Sequence, residues 1–382
     1  MTDKKVALVL GGTVPHIELI KQLQSRGYYT ILVDYLDDSP ARPYANEHIQ
    51  ESTLDQEAVL KIAKEQNAAL VISSAIDQAN ITCCYVAEKL GLPHPYSYET
   101  ALNVTHKDRM KRIMVENGIP KTSFIHSCSA VDVAKSGLEL PLVVKPTNCN
   151  GSRGVRRIDD FDQLEPAISA AVETSRTGDC LVEEYASGTE VNYYCYIQDY
   201  TSYYIGSCYK ASYTDGVTGG VIQYSVTIYP ARISENAFKT LAEAANRIAR
   251  AFNLRNTPLF IQAKVNGDEV NVLEFAPRLG GGLSYRNLQR ITGLDLITLS
   301  LKSFLGEHVA GLDSIKCIDK ISSISHLFAK EGVFDHLEGY EQLLAGGGHR
   351  RILYHEGKRS SHQRRWVNRE SCGIVYHYRR VC

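Results

Sequence analysis

The chain has 382 residues, 44% hydrophobic and 22% charged, with a formal net charge of −1. This is globular material long enough for two or three domains, and its balanced charge supplies no global field for nucleic acid or anionic lipid. No apolar run approaches bilayer length, and the ten cysteines, adjacent at Cys83 and Cys84, show no zinc spacing, so a cytoplasmic protein with reduced thiols is expected.

The opening "MTDKKVALVLGG" sets two lysines before an apolar run, as a leader would. The run is short, closes on Gly-Gly and has no cleavage site after it, which reads as a buried strand. "HIELIKQLQSRG" then predicts an amphipathic helix closed by Gly27, "YTILVDY" a second strand, and "DQEAVLKIAKEQN" a helix with a Leu and Ile face. "AALVISS" predicts a third strand and "QANITCCYVAEKLG" a third helix closed by Gly91. Such alternation is parallel α/β material, whose ligands sit at the carboxyl ends of the strands, near Gly11, Gly12 and Thr13. Asp34, closing the second strand, suits the ribose acid of a dinucleotide fold. "LGGTVPHIEL" lacks the third glycine of that fingerprint, so nicotinamide binding is disfavoured, and a glycine turn with Pro15 near the first helical position is explanation enough.

"GLPHPYS" breaks the pattern with two prolines and marks a boundary. "HKDRMKRIMVENGIP" predicts a basic helix ended by Gly118 and Pro120. "LPLVVKPT" reads as a strand, "NCNGSRGVRRI" as a polar glycine-bearing turn between strands, and "DCLVEEYASGTEVNYYCYI" as strand, loop and strand. "PLFIQAKVNGDEVNVLEFAPR" is a hairpin turning at Asn-Gly-Asp. Residues from about 96 onward are therefore α+β with antiparallel sheet dominating, and short strands are expected beyond about 305. The 23 tyrosines have no functional reading at this level.

Singly, the polar features of this middle region have plain explanations. Lys145 can snorkel from the end of its strand, "NGSRG" can be a hairpin loop, Glu183 and Glu184 edge charges, and Glu274 a turn cap. Together they suggest a nucleotide site. Lys107 and Lys145 precede a loop whose backbone N–H groups could cradle phosphates. Glu183, the Tyr185–Ala186 backbone and Glu190 follow along one extended edge that could read an adenine and its ribose. Gln262 and Glu274 lie on the two arms of one hairpin near its base, and both offer oxygen ligands of the kind magnesium prefers.

In this order and spacing the chain resembles the ATP-grasp superfamily, most closely its carboxylate–amine and amino-acid ligase branch. The resemblance implies an N-terminal parallel α/β domain (1–95), an ATP-grasp domain (96–304) with a central lid at about 120–190, and a small β-rich segment (305–382) that completes the antiparallel catalytic sheet. It implies ATP and one or two Mg2+ ions, with Mn2+ as a substitute. Lys107 and Lys145 would be the phosphate lysines, and Gly151, Ser152 and Gly154 the loop over the triphosphate. Glu183 with the backbone of Glu184, Tyr185 and Ala186 would take the adenine positions, and Glu190 the ribose. Gln262 and Glu274 would hold metal, Arg278 would steady the acyl phosphate or substrate carboxylate, and Gly281 and Gly282 would offer N–H groups to the tetrahedral intermediate. The implied reaction joins a small carboxylic acid to an amine with release of ADP and phosphate, by an enzyme with small-molecule partners, often a homodimer.

Two departures bear on this. Gln262 stands where many members carry an acid, and Ala276 where many carry Asn. "EFAPR" is similar to the purine-type carboxylating branch, which makes a bicarbonate-using ligase the alternative reaction. A nucleotide-binding regulator without turnover is the alternative from another class. "YKASYTDGVTGG" reads either as a flap carrying Lys210 and Tyr213 toward an anionic or sugar-bearing acceptor, or as a solvated surface loop.

Overall fold

The computed structural model describes residues 5–148, 154–211, 226–316, 320–328, 332–334, 352–354, 365–367 and 372–380, with side chains described up to residue 325 except that of Lys320. The predicted Gly151, Ser152 and Tyr213 lie outside the described residues.

The first ninety residues run β1 (Lys5–Leu10), α1 (Val14–Ser25), β2 (Tyr28–Val33), β3 (Glu47–Ile49), α2 (Gln56–Glu65), β4 (Ala68–Ile72) and α3 (Asp77–Leu90). The strands form a parallel sheet in the order β3-β2-β1-β4. Continuous apolar runs make β1 and β2 buried strands: Ala7 to Leu10 and Ile31 to Val33 have no exposed surface. Asp55 accepts the Ala58 N–H to start α2, and Gly91, at φ 65°, ends α3 in the left-handed conformation. Three-residue β3, at the sheet edge, is too short and polar to stand out in the sequence.

Two helices follow, α4 (Tyr98–Thr105) and α5 (Lys107–Glu116). Next come β5 (Phe124–His126), α6 (Ala130–Lys135), β6 (Leu142–Pro146), β7 (Arg156–Ile158), α7 (Leu164–Thr174) and β8 (Cys180–Glu184). These strands make a separate antiparallel sheet, β5-β8-β6-β7, covered by α7 over a core of Leu142, Val144, Ile168 and Val182.

The remaining elements are β9 (Thr189–Gln198), β10 (Thr201–Ala211), β11 (Val226–Tyr229), α8 (Glu235–Ala251), β12 (Asn256–Asn266), β13 (Glu269–Ala276), α9 (Ser284–Thr292), α10 (Leu296–Leu305), β14 (Lys320–Phe328), β15 (Gly332–Phe334), β16 (Ile352–Tyr354), β17 (Arg365–Val367) and β18 (Cys372–Arg380). An eight-stranded sheet runs β13-β12-β9-β10-β11-β14-β18-β16, and β15 pairs with β17. Period-two alternation divides β9 between two cores. Val191, Tyr193, Cys195 and Ile197 pack with Leu241, Ala245 and Ile248 of α8. Tyr194 and Tyr196 turn the other way, into a core shared with β1, β2, α1, α9 and α10. Many tyrosines thus serve as packing: Tyr193, Tyr204 and Phe238 cluster on one face, Tyr194, Tyr229 and Phe260 on the other. Between α1 and α10, Gln22 donates to Asp295 at 2.7 Å and accepts from Thr298 at 3.0 Å.

Candidate nucleotide site

The site face of the large sheet is fixed by register. Gln262 of β12 lies opposite Glu274 of β13 and opposite Asn192 of β9, so all three side chains leave the same face. A β-bulge interrupts the β12–β13 pairing between Gln262 and Ala263, just beyond the Gln262–Glu274 pair. Glu190, two residues from Asn192, shares that face. Its Oε1 accepts from Gln262 Nε2 at 2.6 Å and lies 2.5 Å from Lys210 Nζ. The structure therefore sets Lys210 against Glu190. Asn192 donates to the Tyr194 hydroxyl at 3.2 Å, and its buried Oδ1 has no hydrogen-bond partner among the described residues.

Lys107 opens α5, directly after α4, and its Nζ lies 3.5 Å from Glu274 Oε2. The charge of Lys107, opposed by burial and assisted by Lys145 and Arg278, holds the Glu274 carboxyl below the usual carboxylate range. Lys107 pairs with this carboxylate directly, while Lys145 and Arg278, paired with Glu183 and Asp77, act on it through their charge.

Behind them lies a buried ionic cluster. Glu183 on β8 is 2% exposed. Its Oε1 lies 2.5 Å from Lys145 Nζ, while its Oε2 lies 3.3 Å from Lys111 Nζ and accepts from the Thr122 hydroxyl at 3.0 Å. Burial pushes this carboxyl up, but Lys111, Lys145 and Thr122 together pull it down to about 2. The same burial pushes the Lys111 ammonium down to about 8 against the pull of Glu183. Sequence reasoning gives Glu183 an adenine contact; the structure encloses its carboxylate between lysines. Nearby, the N–H groups of Glu184 and Tyr185 donate to the carbonyls of Ser123 and Pro141 at 3.0 and 2.8 Å. Glu184 Oε1 accepts from the Glu139 N–H at 3.2 Å, and the Arg157 guanidinium covers the Tyr185 ring at 4.2 Å. Ala186 follows, at the start of the crossing from the small sheet to the large one.

Arg278, just past β13, makes a two-pronged ion pair with Asp77, the first residue of α3, and lies over the Phe260 ring at 5.1 Å. The glycine run after it is not uniform. Gly281 and Gly282 leave open space where a Cβ would stand, and Gly282 has φ 64°. At Gly280 a Cβ would meet the Tyr194 ring at 2.6 Å, so this glycine permits close packing against β9. Gly154, at φ 73°, would press a Cβ against Pro146 at 2.8 Å.

At the carboxyl end of the parallel sheet, Asp34 accepts from the Gly12 and Leu36 N–H groups at 2.5 and 2.8 Å. A Cβ at Gly12 would meet Ser39 Oγ at 2.2 Å, so the turn is filled by the chain's own side chains. His16 bridges Thr13 at 2.8 Å and Ser73 at 3.1 Å, and burial pushes its pKa down to about 4.

Lys111, Thr122, Asp77, Asn192 and Gly280 escape sequence reasoning. Lys111 alone leaves a local trace, falling with Met110 and Met114 on the buried stripe of α5. The six described cysteines, Cys83, Cys84, Cys128, Cys180, Cys195 and Cys208, are free thiols. No helix among the described residues is long and apolar enough to cross a membrane.

Comparison with known proteins gives this geometry a family context. Residues 138–286 match the ATP-grasp domain family. The carbamoyl phosphate synthase large chain of Synechocystis sp. is 23% identical over 369 residues, which cover 86% of this chain and 34% of that protein. A second such large chain, from Agathobacter rectalis, is covered over 19% of its length, so the chain spans 34% and 19% of these two curated relatives. The crystal structure of an L-amino acid ligase from Bacillus licheniformis superposes with a TM-score of 0.80 at 18% identity, covering 100% of this chain and 95% of that one. An N5-carboxyaminoimidazole synthetase from Staphylococcus aureus complexed with ADP gives 0.74 at 19% identity, covering 98% and 92%. The protein carries an ATP-grasp domain over residues 138–286, within a chain that shares the fold of the L-amino acid ligase structure.

Proposed function

We propose that this protein is an ATP-dependent ligase that joins a small carboxylic acid to an amine through an acyl phosphate. The observation that carries the reading is the set of cations, Lys107, Lys145 and Arg278, acting on Glu274 where it faces Gln262 across the base of the hairpin. Such a cluster suits a transferred phosphoryl group, whose negative charge must be neutralised in flight.

The residues also fit a divalent cation. Glu274 Oε and Gln262 Oε1 are hard oxygen donors on one face, and the partnerless Asn192 Oδ1 adds a third beside them. Magnesium held there would act as a Lewis acid toward the triphosphate. The chain's own groups do the rest. Lys107 and Lys145 bind the phosphates while a substrate carboxylate oxygen attacks the γ-phosphorus and the bond to ADP breaks. The amine nitrogen then attacks the acyl carbon, the bond from that carbon to the phosphate oxygen breaks, and the amine's proton leaves with the phosphate. The N–H groups of Gly281 and Gly282 face the developing oxyanion, with Arg278 steadying the substrate carboxylate. The small four-stranded sheet, with Gly151, Ser152 and Gly154 in its β6–β7 connection, acts as the lid that excludes water from the acyl phosphate. Ala186 N–H and the carbonyls of the Glu184–Ala186 stretch read the adenine edge, and Glu190 receives the ribose hydroxyls. An amino acid is the favoured carboxylate substrate, in line with the likeness to an L-amino acid ligase. We take the setting to be cytoplasmic.

The "EFAPR" stretch and the likeness to an N5-carboxyaminoimidazole synthetase favour a second reading, in which bicarbonate is the carboxylate. An ADP-release assay with ATP and Mg2+, run over pooled amino acids in pairs with and without bicarbonate, separates them, with Glu274→Ala as the blank. Turnover with an amino-acid pool alone supports the ligase, and strict dependence on bicarbonate supports the alternative. ATP binding without release of ADP under any condition would overturn both and leave a nucleotide-binding regulator.

A further inference from the structure

Lys111 is the one lysine on the inward stripe of α5, and 1% of its side chain is exposed. A buried ammonium is costly unless it is paired, so its position asks what it holds. It lies 3.3 Å from Glu183 Oε2 and donates to the Val272 carbonyl at 3.4 Å. Val272 stands two residues before Glu274 on β13, and its N–H donates to Pro120 at 3.0 Å, just past α5. Lys107 stands one helical turn before Lys111 and reaches Glu274 itself. One buried cation thus ties together the helix carrying Lys107, the strand carrying Glu274 and the carboxylate that grips Lys145.

The arrangement around Glu183 is asymmetric. Lys145 holds one oxygen and keeps some exposure, at 11% of its side chain; Lys111 and Thr122 hold the other and are enclosed. If Lys145 leaves Glu183 for an anion in the site, Lys111 stays behind and keeps the carboxylate compensated. Without Lys111, Lys145 would be the sole cation on a buried carboxylate and would be held there.

We propose that Lys111 is a positioning residue that acts through Glu183 to keep Lys145 available to an anionic ligand. The inference rests on the reading of Lys145 as a phosphate-binding lysine, but its central claim concerns Lys145 itself and is measured without nucleotide.

The experiment follows acylation of Lys145 by an amine-reactive ester, read by mass spectrometry at pH 8, in the parent, Lys111→Met, Lys111→Arg and Lys111→Met/Glu183→Gln proteins. ATP binding is measured by calorimetry on the same samples. In Lys111→Met, Lys145 labelling is expected to fall at least fivefold and ATP affinity at least tenfold. Lys111→Arg should restore both to within about threefold of the parent, because the guanidinium keeps the charge. The double variant, which removes the buried carboxylate together with its enclosed cation, should fold even if the single variant does not, and should label Lys145 at least as fast as the parent. Unchanged labelling in Lys111→Met, or slow labelling in the double variant, would overturn the role of Lys111. A parent protein that labels as expected but binds no ATP would instead overturn the reading of the site.

Discussion

The Glu183 cluster makes acid stability a direct test of the buried electrostatics. Its carboxyl is held at about 2, against 4.5 for an ordinary glutamate. A folded-state pKa below the unfolded value stabilises the protein above the unfolded pKa, and the contribution disappears as pH falls through the folded one. With 1.36 kcal/mol per unit, the shift from 4.5 to about 2 corresponds to about 3 kcal/mol at neutral pH, of which about 2 kcal/mol is lost between pH 6 and pH 3. Because Glu183 is fully enclosed, solvent screening removes little of this. Glu183→Gln abolishes the titration while preserving shape. Urea denaturation at half-unit steps from pH 6 to pH 3 should show the parent losing about 2 kcal/mol more than the variant over that interval. Asp179, a depressed carboxyl that contacts neither Glu183 nor its lysines, titrates in both proteins and cancels in the difference. Parallel curves for parent and variant would refute the claim that Lys111 and Lys145 hold Glu183 ionised.

Three further predictions test neighbouring features. Asp77→Ala strips the two-pronged partner from Arg278, whose side chain is 12% exposed, and should cost about 3 kcal/mol by denaturation, with Asp77→Glu recovering part of it; a loss below about 0.5 kcal/mol would mean the pair is not formed in solution. Gly280→Ala drives a methyl into the Tyr194 ring and should cost about 1–3 kcal/mol, whereas Gly281→Ala, into open space, should leave thermal stability near that of the parent. Lys210→Met removes the cation on Glu190 Oε1 and should raise KM for ATP severalfold while leaving KM for the amine unchanged; the reverse pattern would assign Lys210 to the acceptor.

How much of this was legible in the sequence depends on the range of the interaction. The β12–β13 hairpin was plain because its alternation and its Asn-Gly-Asp turn are local signals, which locate Gln262 and Glu274 on its two arms; that they stand face to face depends on the β-bulge between Gln262 and Ala263, which no local signal announced. The β1–α1–β2 unit was legible for the same reason. The stretch "VEEYASGTE" was not: it looks like one strand, loop and strand, yet β8 pairs in the small sheet and β9 in the large one. What separates them is Gly188, at φ 106°, packed so tightly on β12 that a Cβ would meet the Val265 carbonyl at 2.4 Å. The enclosure of Glu183 between lysines was not legible for a related reason. Its partners Lys111 and Thr122 lie 72 and 61 residues away, and no local pattern announces such a pairing. Asp77, 201 residues from Arg278, was equally invisible. Lys210 could be noticed as a charge, but only the β9–β10 pairing shows that Glu190 stands beside it.

The shared core beneath the parallel sheet bears on how such a chain can be divided. Leu8, Leu19 and Val33 from the first ninety residues belong to the same apolar cluster as Leu283, Leu288 and Ile297. The Gln22–Asp295 bond and the Arg278–Asp77 pair fasten the same seam. The prolines near residue 95 are not an edge of the packing. Expressed alone, the later part would expose that half-core to water and leave a guanidinium without its carboxylate, so recombination at this point would have to exchange both sides of the seam together.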